Sequence, residues 1–124
     1  MVRFSEQEIE YIQSQRLGRL ATLGKDGAPH VVPNSVRYNA ELGTLDLGGL
    51  RIGQTQKWRN VARDPRAAVV IDDVLPPWRV RGVEVRGRAE QVAQGGTEAF
   101  GPHFGPEMIR IWPEKIVSWG LDKG

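Results

Sequence analysis

The apolar residues near the start of the chain follow a helical period. Ile9 and Ile12 lie three residues apart, on one face of a helix. Just before them, Ser5 and Glu8 have the spacing of a capping box, in which each side chain accepts a hydrogen bond from the other residue's backbone amide. The pattern predicts a helix that begins after Ser5 and ends near residue 15.

From residue 17 the period changes to two, which indicates strands. The predicted strands cover residues 17–23, 28–38 and 44–47. The dipeptide Asp26-Gly27 suits the turn between the first two strands, because Asp-Gly tolerates the positive φ that tight hairpins require. We expect these three strands to pair as an antiparallel meander.

Two contrasting strand patterns follow a central helix. Residues 67–71 are a continuous apolar run, which is typical of a strand buried on both faces. Residues 72–78 contain two prolines and are expected to form a loop. Residues 80–92 then alternate, with Val83 and Val85 on one side and charged residues on the other. Such a strand is typical of a barrel wall that is wet on one face.

The last quarter of the chain completes the predicted architecture. A glycine-rich connection over residues 95–106 contains a helical turn near 97–100, and a final strand over 108–119 is expected to bend or break at Pro113. The sum is a mainly β protein with minor α content. It should form a closed or split β-barrel of six or seven antiparallel strands, with an N-terminal helix and one helix after the fourth element. One domain over residues 1–124 accommodates this fold.

The segment 48–65, GGLRIGQTQKWRNVARDP, carries the strongest functional signal. Thr55 is a suitable N-cap for the central helix, which must end before Pro65. Free backbone amides, the positive end of the helix dipole, Lys57 and Arg51 would then converge on a site for a phosphate or carboxylate. The alternative is an ordinary connection whose basic residues face water, since no Walker-type glycine spacing is present.

The second strand contains Pro29 and Pro33, which cannot donate to a sheet ladder. An interrupted ladder at residues 32–35 would leave backbone groups and the Asn34 amide free to bind the polar edge of a flat ring. The alternative is an edge strand that proline protects from aggregation.

Composition narrows the function classes. The 124 residues include no cysteine and two histidines, so cysteine chemistry is excluded and a structural metal site is not expected. The net charge of +2 is small for a nucleic-acid-binding protein, and its basic residues cluster at 51–66 and 79–88, which suits a small anionic ligand better. No apolar run has transmembrane length and no signal peptide is evident, so we expect a cytoplasmic protein with neither a membrane nor a nucleic-acid partner.

Four segments resemble a known family. Residues 17–33, LGRLATLGKDGAPHVVP, resemble the opening of the pyridoxamine-phosphate-oxidase-like split β-barrel proteins, and residues 55–65 resemble their cofactor-phosphate segment. Residues 77–90, PWRVRGVEVRGRAE, and 109–120, IRIWPEKIVSWG, are similar to the branch of deazaflavin-dependent (coenzyme F420) oxidoreductases. Pyridoxamine phosphate oxidase itself has an additional arginine-rich segment that these residues lack, so vitamin B6 oxidation is not expected.

The resemblance implies a homodimer with two equivalent cofactor sites at the subunit interface. It implies cofactor contacts in two groups: a phosphate group at Thr55, Gln56 and Lys57 with Arg51 and Gln54 nearby, and a ring at Val32, Pro33, Asn34 and Ser35, with Gly48 and Gly49 allowing close approach. The partner subunit's Trp78 would close the site, with Arg79 or Arg81 near an anionic tail. Trp58 is expected in the core, and Trp119 in the core, at the interface or beside the site.

The implied activity is hydride transfer from reduced F420 to an activated alkene, quinone or enone, such as a polycyclic enone. His30 and Tyr38 are the nearest candidates for a proton donor, but water is an equal alternative and no catalytic side chain is assigned. Because the superfamily also binds FMN and haem on the same barrel, an FMN-dependent reductase or oxidase and a non-catalytic cofactor carrier remain alternatives.

Overall fold

The computed structural model describes residues 2–121 and shows a closed barrel of six antiparallel strands in the order β1-β2-β3-β6-β5-β4. The elements, in chain order, are α1 (Glu6–Gln13), β1 (Leu17–Leu23), β2 (Pro29–Asn39), β3 (Thr44–Gly48), a 3₁₀ turn (Ile52–Gln54), α2 (Gln56–Arg63), β4 (Arg66–Leu75), β5 (Arg79–Val92), α3 (Gly96–Phe100) and β6 (Met108–Trp119). The predicted mainly β barrel, its meander β1-β2-β3 and the helical turn in the glycine-rich connection are confirmed.

The first helix begins as its sequence predicts. The backbone amide of Glu8 donates to Ser5 Oγ at 3.1 Å, and the amide of Ser5 donates to Glu8 Oε1 at 2.8 Å. These two bonds satisfy helix-end donors that would otherwise lack partners. Ile12 is fully buried, whereas Ile9 is half-buried. The helix therefore covers one part of the barrel, and it ends at Gln13 rather than near residue 15.

The barrel interior is filled by alternate residues of all six strands. Val83, Val85 and Ala89 of β5 point inward as predicted, while the charged residues between them are at most half-buried. The core includes, among others, Leu20, Leu45, Val69, Ile71, Ile109 and Ile111. Because β-branched and leucine side chains fill this space without polar atoms, the hydrophobic effect closes the barrel.

The loop predicted over residues 72–78 is correct only in its second half, because residues 76–78 form a turn and residues 72–75 do not. Residues 72–75 extend the strand and pair with β5 up to Leu75↔Arg79, instead of forming a loop. The two acidic side chains of this segment are accommodated in a strand because each pairs with an arginine. Asp72 lies 2.6 Å from Arg19, and Asp73 lies 2.8 Å from Arg81. The prediction that residues 67–71 are buried on both faces was also wrong, since Ala68 and Val70 are only half-buried on the outer face.

The last strand is bent without being broken. It runs without interruption through Pro113, and its pairing with β5 shifts between Arg86 and Gly87, so that Glu114 is left as an extra residue in a β-bulge. A side chain at Gly87 would collide with the Trp112 carbonyl, so the bulge needs glycine there. Of the two predicted outcomes at Pro113, the bend is therefore correct.

Neither a membrane-spanning helix nor a metal cluster is evident within residues 2–121. None of the helices in this range is both long and apolar enough to cross a bilayer. The same residues contain no group of three or more acidic or histidine side chains that is arranged to hold a metal ion.

Candidate functional site

The start of α2 has the predicted cap. Thr55 lies in extended conformation just before the helix, and its Oγ1 accepts a hydrogen bond from the Trp58 amide at 3.4 Å. The same hydroxyl donates to the Ile52 carbonyl at 2.6 Å, which ties the cap to the preceding 3₁₀ turn. The amides of Gln56 and Lys57 precede the first intrahelical bond and are therefore available to a ligand. The helix ends at Arg63, ahead of Pro65 as expected.

A cavity of about 350 Å³ lies beside this helix start. Its walls come from the first turn of α2 and from two neighbouring strands, and the lining residues are Thr22, His30, Val32, Thr55, Gln56 and Lys57. Four predicted site residues (Val32, Thr55, Gln56 and Lys57) therefore share one cavity. A slightly larger cavity of about 370 Å³ lies beside Phe4 and Tyr38, but it contains none of the predicted cofactor-binding residues.

Lys57 is the distinctive charge of this cavity. It is half-buried, and burial alone lowers the pKa of its ammonium group below the usual lysine value. Within residues 2–121 no acidic side chain lies close enough to offset that shift. A desolvated cation without a counter-charge favours the binding of an anion, which would restore the stability of the charged form.

Most of the neighbouring basic side chains are already engaged. Arg59 donates to Gln56 Oε1 at 3.0 Å, Arg63 donates to Asn60 Oδ1 at 3.0 Å, and Arg66 pairs with Asp64 at 2.6 Å. The last contact holds the pKa of Asp64 at about 2. Of the basic residues in 51–66, Lys57 and Arg51 are therefore the ones left for a ligand. Lys57 lines the cavity, and Arg51 is exposed nearby in the chain. Gln54 is also exposed and does not line the cavity.

The ring-side prediction concerns β2, which is paired differently along its length. Residues 29–34 pair with β1 only, and β3 joins from Ser35 onward, opposite Gly48. Pro29 and Pro33 thus lie where one edge of β2 has no strand partner, which satisfies both the edge-strand and the interrupted-ladder interpretations. His30, Val32 and Asn34 share one face of this half-strand because side chains alternate.

Asn34 has an unpaired acceptor. The residue is 6% exposed, and its Nδ2 donates to the Gly48 carbonyl at 3.2 Å. Its Oδ1 is buried and has no hydrogen-bond partner among the described residues. Leaving a buried polar atom unpaired costs about 1–3 kcal/mol. A ligand N–H group would remove that cost.

The two glycines have different environments. A Cβ atom on Gly48 would lie 2.5 Å from Phe100 Cδ2, so the small size of Gly48 serves the packing of α3. A Cβ on Gly49 would meet Ile52 at 3.5 Å, an ordinary contact. Phe100 also contacts Phe104, with ring centroids 5.3 Å apart, and it was missed by sequence reasoning because Gly48, on which it packs, is distant along the chain.

The structure does not bring Trp78 and Arg79 to the cavity of their own chain. Trp78 is 77% exposed at the tip of the β4-β5 hairpin. Thr22, a cavity residue, pairs with Ala67, and Leu75 lies eight residues further along β4, or roughly 26 Å away at the usual strand rise. Arg79 is half-buried, and its Nη2 has no hydrogen-bond partner among the described residues. Arg81 is held by Asp73 and by the Tyr11 ring, so it is not free for an anionic tail.

Helix α2 packs on the core through apolar residues and one polar residue. Trp58 packs against the core as expected and Val61 is buried, whereas Ala62 is exposed and the polar Asn60 is completely buried. Sequence reasoning missed Asn60 because a polar residue on an amphipathic helix normally marks the wet face. Of the remaining candidates, His30 lines the cavity, Tyr38 packs edge-on against Phe4, and Trp119 lies across Gly82 of the neighbouring strand.

The closed barrel and its helix-start cavity define a protein of the split β-barrel type, and comparison with known proteins gives the family. The sequence profile described as "Pyridoxamine 5'-phosphate oxidase" matches residues 4–103. The chain belongs to this family. It is also 45% identical over 121 residues to a 5a,11a-dehydrotetracycline/5a,11a-dehydrooxytetracycline reductase from Streptomyces rimosus subsp. rimosus, an alignment that covers 96% of this chain and 84% of the relative.

Solved structures show the same fold. Conserved hypothetical protein Rv2991 from Mycobacterium tuberculosis has a TM-score of 0.75 and 27% identity, with 98% of this chain and 88% of that chain covered. A FAD-binding protein from Mesorhizobium loti has a TM-score of 0.68 and 23% identity, with 93% and 92% covered. These similarities confirm the predicted pyridoxamine-phosphate-oxidase-like split barrel.

Proposed function

We propose that the protein is an oxidoreductase that holds coenzyme F420, in preference to FMN, at the α2 cavity and reduces an activated alkene, quinone or enone. The observation that carries this proposal is Lys57, a half-buried cation without a counter-charge at the start of a capped helix. Membership of the pyridoxamine 5'-phosphate oxidase family and the similarity to a named reductase support the oxidoreductase class.

The residues present fit a phosphate-bearing ring cofactor at both of its ends. Lys57 and the free amides of Gln56 and Lys57 would hold the phosphate. The unpaired Asn34 Oδ1 offers an acceptor to an imide N–H, a group that flavin and deazaflavin rings both carry. Val32, on the same face of β2 as Asn34, would provide an apolar surface between the phosphate position and Asn34. When bound, such a cofactor supplies a hydride, and a proton from water completes reduction of the acceptor's double bond.

The preference for F420 over FMN follows from the cations that remain free. A polyanionic tail needs positive charge beyond the phosphate site, and Arg51 and Arg79 are the predicted residues that no ion pair within residues 2–121 occupies. FMN needs only the helix start. An FMN-dependent reductase or oxidase is therefore the second candidate, favoured by the same Lys57 cavity.

A homodimer is part of this proposal, because several large apolar side chains are exposed in the single chain. Trp78, Val31 and Leu17 are 77%, 67% and 56% exposed, respectively. Soluble proteins rarely leave such a set uncovered, and a second copy of the chain would bury it. The partner subunit's Trp78 would then reach the cavity that its own chain's Trp78 does not. Sedimentation equilibrium should give twice the chain mass of 13.8 kDa; a monomer at micromolar concentration would remove Trp78 from the site.

The substrate class that we propose is a polycyclic enone. Support comes from the printed activity of the 45% identical relative, whose substrates are dehydrotetracyclines. The test is to mix the protein with reduced F420 and a dehydrotetracycline, and to follow the oxidised cofactor's absorbance. We expect enone-dependent oxidation, with slower turnover when reduced FMN replaces F420. Tight cofactor binding without enone-dependent oxidation would support a carrier protein instead.

A further inference from the structure

The buried side chain of Asn60 connects the two walls of the cavity without lining it. Its Nδ2 lies 3.0 Å from Thr22 Oγ1 and 3.1 Å from His30 Nδ1, and its Oδ1 accepts from Gln56 Nε2 at 2.8 Å and from Arg63 Nη2 at 3.0 Å. All four hydrogen-bonding positions of the amide are therefore used. His30 and Gln56, one from each wall, are both bonded to this one residue.

The contacts determine which way the amide points. Arg63 is a donor in every state, so the Asn60 atom that faces it must be the oxygen. The amide nitrogen then faces His30, and its N–H must be accepted by Nδ1 of that ring. In the neutral ring, the proton consequently lies on Nε2, because a proton on Nδ1 would oppose the amide N–H. The far edge of the ring lies against Gly24, where an added Cβ would be 2.6 Å from His30 Nε2.

We propose that Asn60 is a positioning residue that fixes the orientation and the Nε2–H tautomer of His30 and thereby sets the strand-side wall of the ligand cavity. The effect on ligand affinity rests on the proposed function, because it requires that this cavity bind the cofactor. The tautomer itself does not depend on any ligand. If Asn60 only stabilised the helix, its hydrogen bonds would not need to favour one tautomer of a histidine on another element.

The tautomer is measurable by nitrogen NMR in the protein without ligand. The chain has two histidines, and the exposed His103 lies outside the cavity, so H103Q leaves His30 as the single imidazole. In this background we expect a proton on Nε2 and a coupling through the hydrogen bond between Asn60 Nδ2 and His30 Nδ1. Asn60→Asp keeps the acceptor for Arg63 but replaces the donor that faces His30. It should therefore move the proton to Nδ1. Absence of the coupling, or an unchanged tautomer in the folded variant, would overturn the proposal.

A double-mutant cycle tests whether the position of His30 matters for binding. Asn60→Ala, which removes the hydrogen bond to His30 without adding a charge beside the anion site, should weaken F420 or FMN binding by about tenfold, or roughly 1.4 kcal/mol, and distinctly less when His30 is already replaced by Phe. An equal loss in both backgrounds means that Asn60 does not act through His30, and contradicts the positioning role. If the wild-type protein binds neither cofactor, the proposed function fails, whereas the tautomer measurement still decides the role of Asn60.

Discussion

Replacing Lys57 with Ala separates the ligand-binding role of this residue from any role in folding. A unit charge 4 Å from a phosphate contributes roughly 4 kcal/mol at an effective dielectric constant near 20. Desolvation opposes this attraction, and charge-assisted hydrogen bonds have a net value of about 1.5–3 kcal/mol. Lys57→Ala should therefore weaken cofactor binding by roughly 10- to 150-fold. Without ligand, the substitution should not lower stability by more than about 1 kcal/mol, because burial already disfavours the charged lysine.

The pH dependence of binding gives an independent check on Lys57. Burial lowers its pKa in the free protein, and a bound phosphate would raise it again. Cofactor affinity should therefore be greatest below the pKa that Lys57 has in the free protein, and it should fall as the pH rises above that pKa. Between this pKa and the higher pKa of Lys57 in the complex, binding should be accompanied by proton uptake. Lys57→Ala should remove this alkaline limb.

The assay is a fluorescence titration with F420 and with FMN at fixed salt, together with thermal unfolding of the free protein. Lys115→Ala is the matched control, since Lys115 is an exposed lysine on β6 and its loss changes the net charge equally. We expect the control to bind within about twofold of the wild type, as screening predicts for a distant charge. Equal losses in both variants would show a general charge effect, and an unchanged Lys57→Ala would refute the phosphate assignment.

The remaining predictions concern packing, the ring acceptor and acid stability. Gly48→Ala should destabilise the protein by about 1–3 kcal/mol because its Cβ would collide with Phe100, whereas Gly49→Ala should change stability little; equal urea midpoints would contradict this. Asn34→Ala should weaken binding of both cofactors severalfold, since it removes the unpaired acceptor, and unaltered affinity in titration would remove Asn34 from the site. Arg81, then Tyr11, hold the pKa of Asp73 below its usual value, so this carboxylate stabilises the fold above the unfolded pKa and ceases to do so as pH falls through the folded one. Asp73→Asn should make urea stability less dependent on pH over that acidic range, and an acid limb identical to the wild type would exclude this contribution.

Local sequence determined the features that short-range chemistry controls. The capping box at Ser5, the cap at Thr55 and the alternation of β5 each depend on residues within one or two turns, and the structure has all three. The order of the first strands also followed, because a tight turn such as Asp26-Gly27 allows only one neighbour.

The errors arose where distant partners override a local pattern. The acidic residues 72 and 73 looked like loop because their cations, Arg19 and Arg81, come from other strands or further along the chain. Asn60 was not singled out at all, because two of its four partners come from β1 and β2. Neither pairing leaves a periodic signal in the sequence.

Sequence patterns predicted the phosphate half of the site more fully than the ring half, again because the ring half depends on residues that are distant along the chain. The phosphate half is one continuous segment, so capping and charge patterns identified Thr55, Gln56 and Lys57 together. The ring half depends on which strand edge is left open and on what packs over Gly48, and these are properties of the closed barrel. Trp78 and Arg79 lie at a hairpin tip remote from their own cavity, and their assignment remains a prediction about the dimer.

Cofactor selectivity tests the central claim most directly. The purified protein would be titrated with F420 and, in parallel, with FMN, at matched ionic strength and protein concentration. We expect micromolar or tighter binding of F420, clearly weaker binding of FMN, and binding of both weakened by roughly 10- to 150-fold in Lys57→Ala. Preference for FMN would assign the protein to flavin chemistry, and failure to bind either would leave the α2 start as an ordinary basic connection.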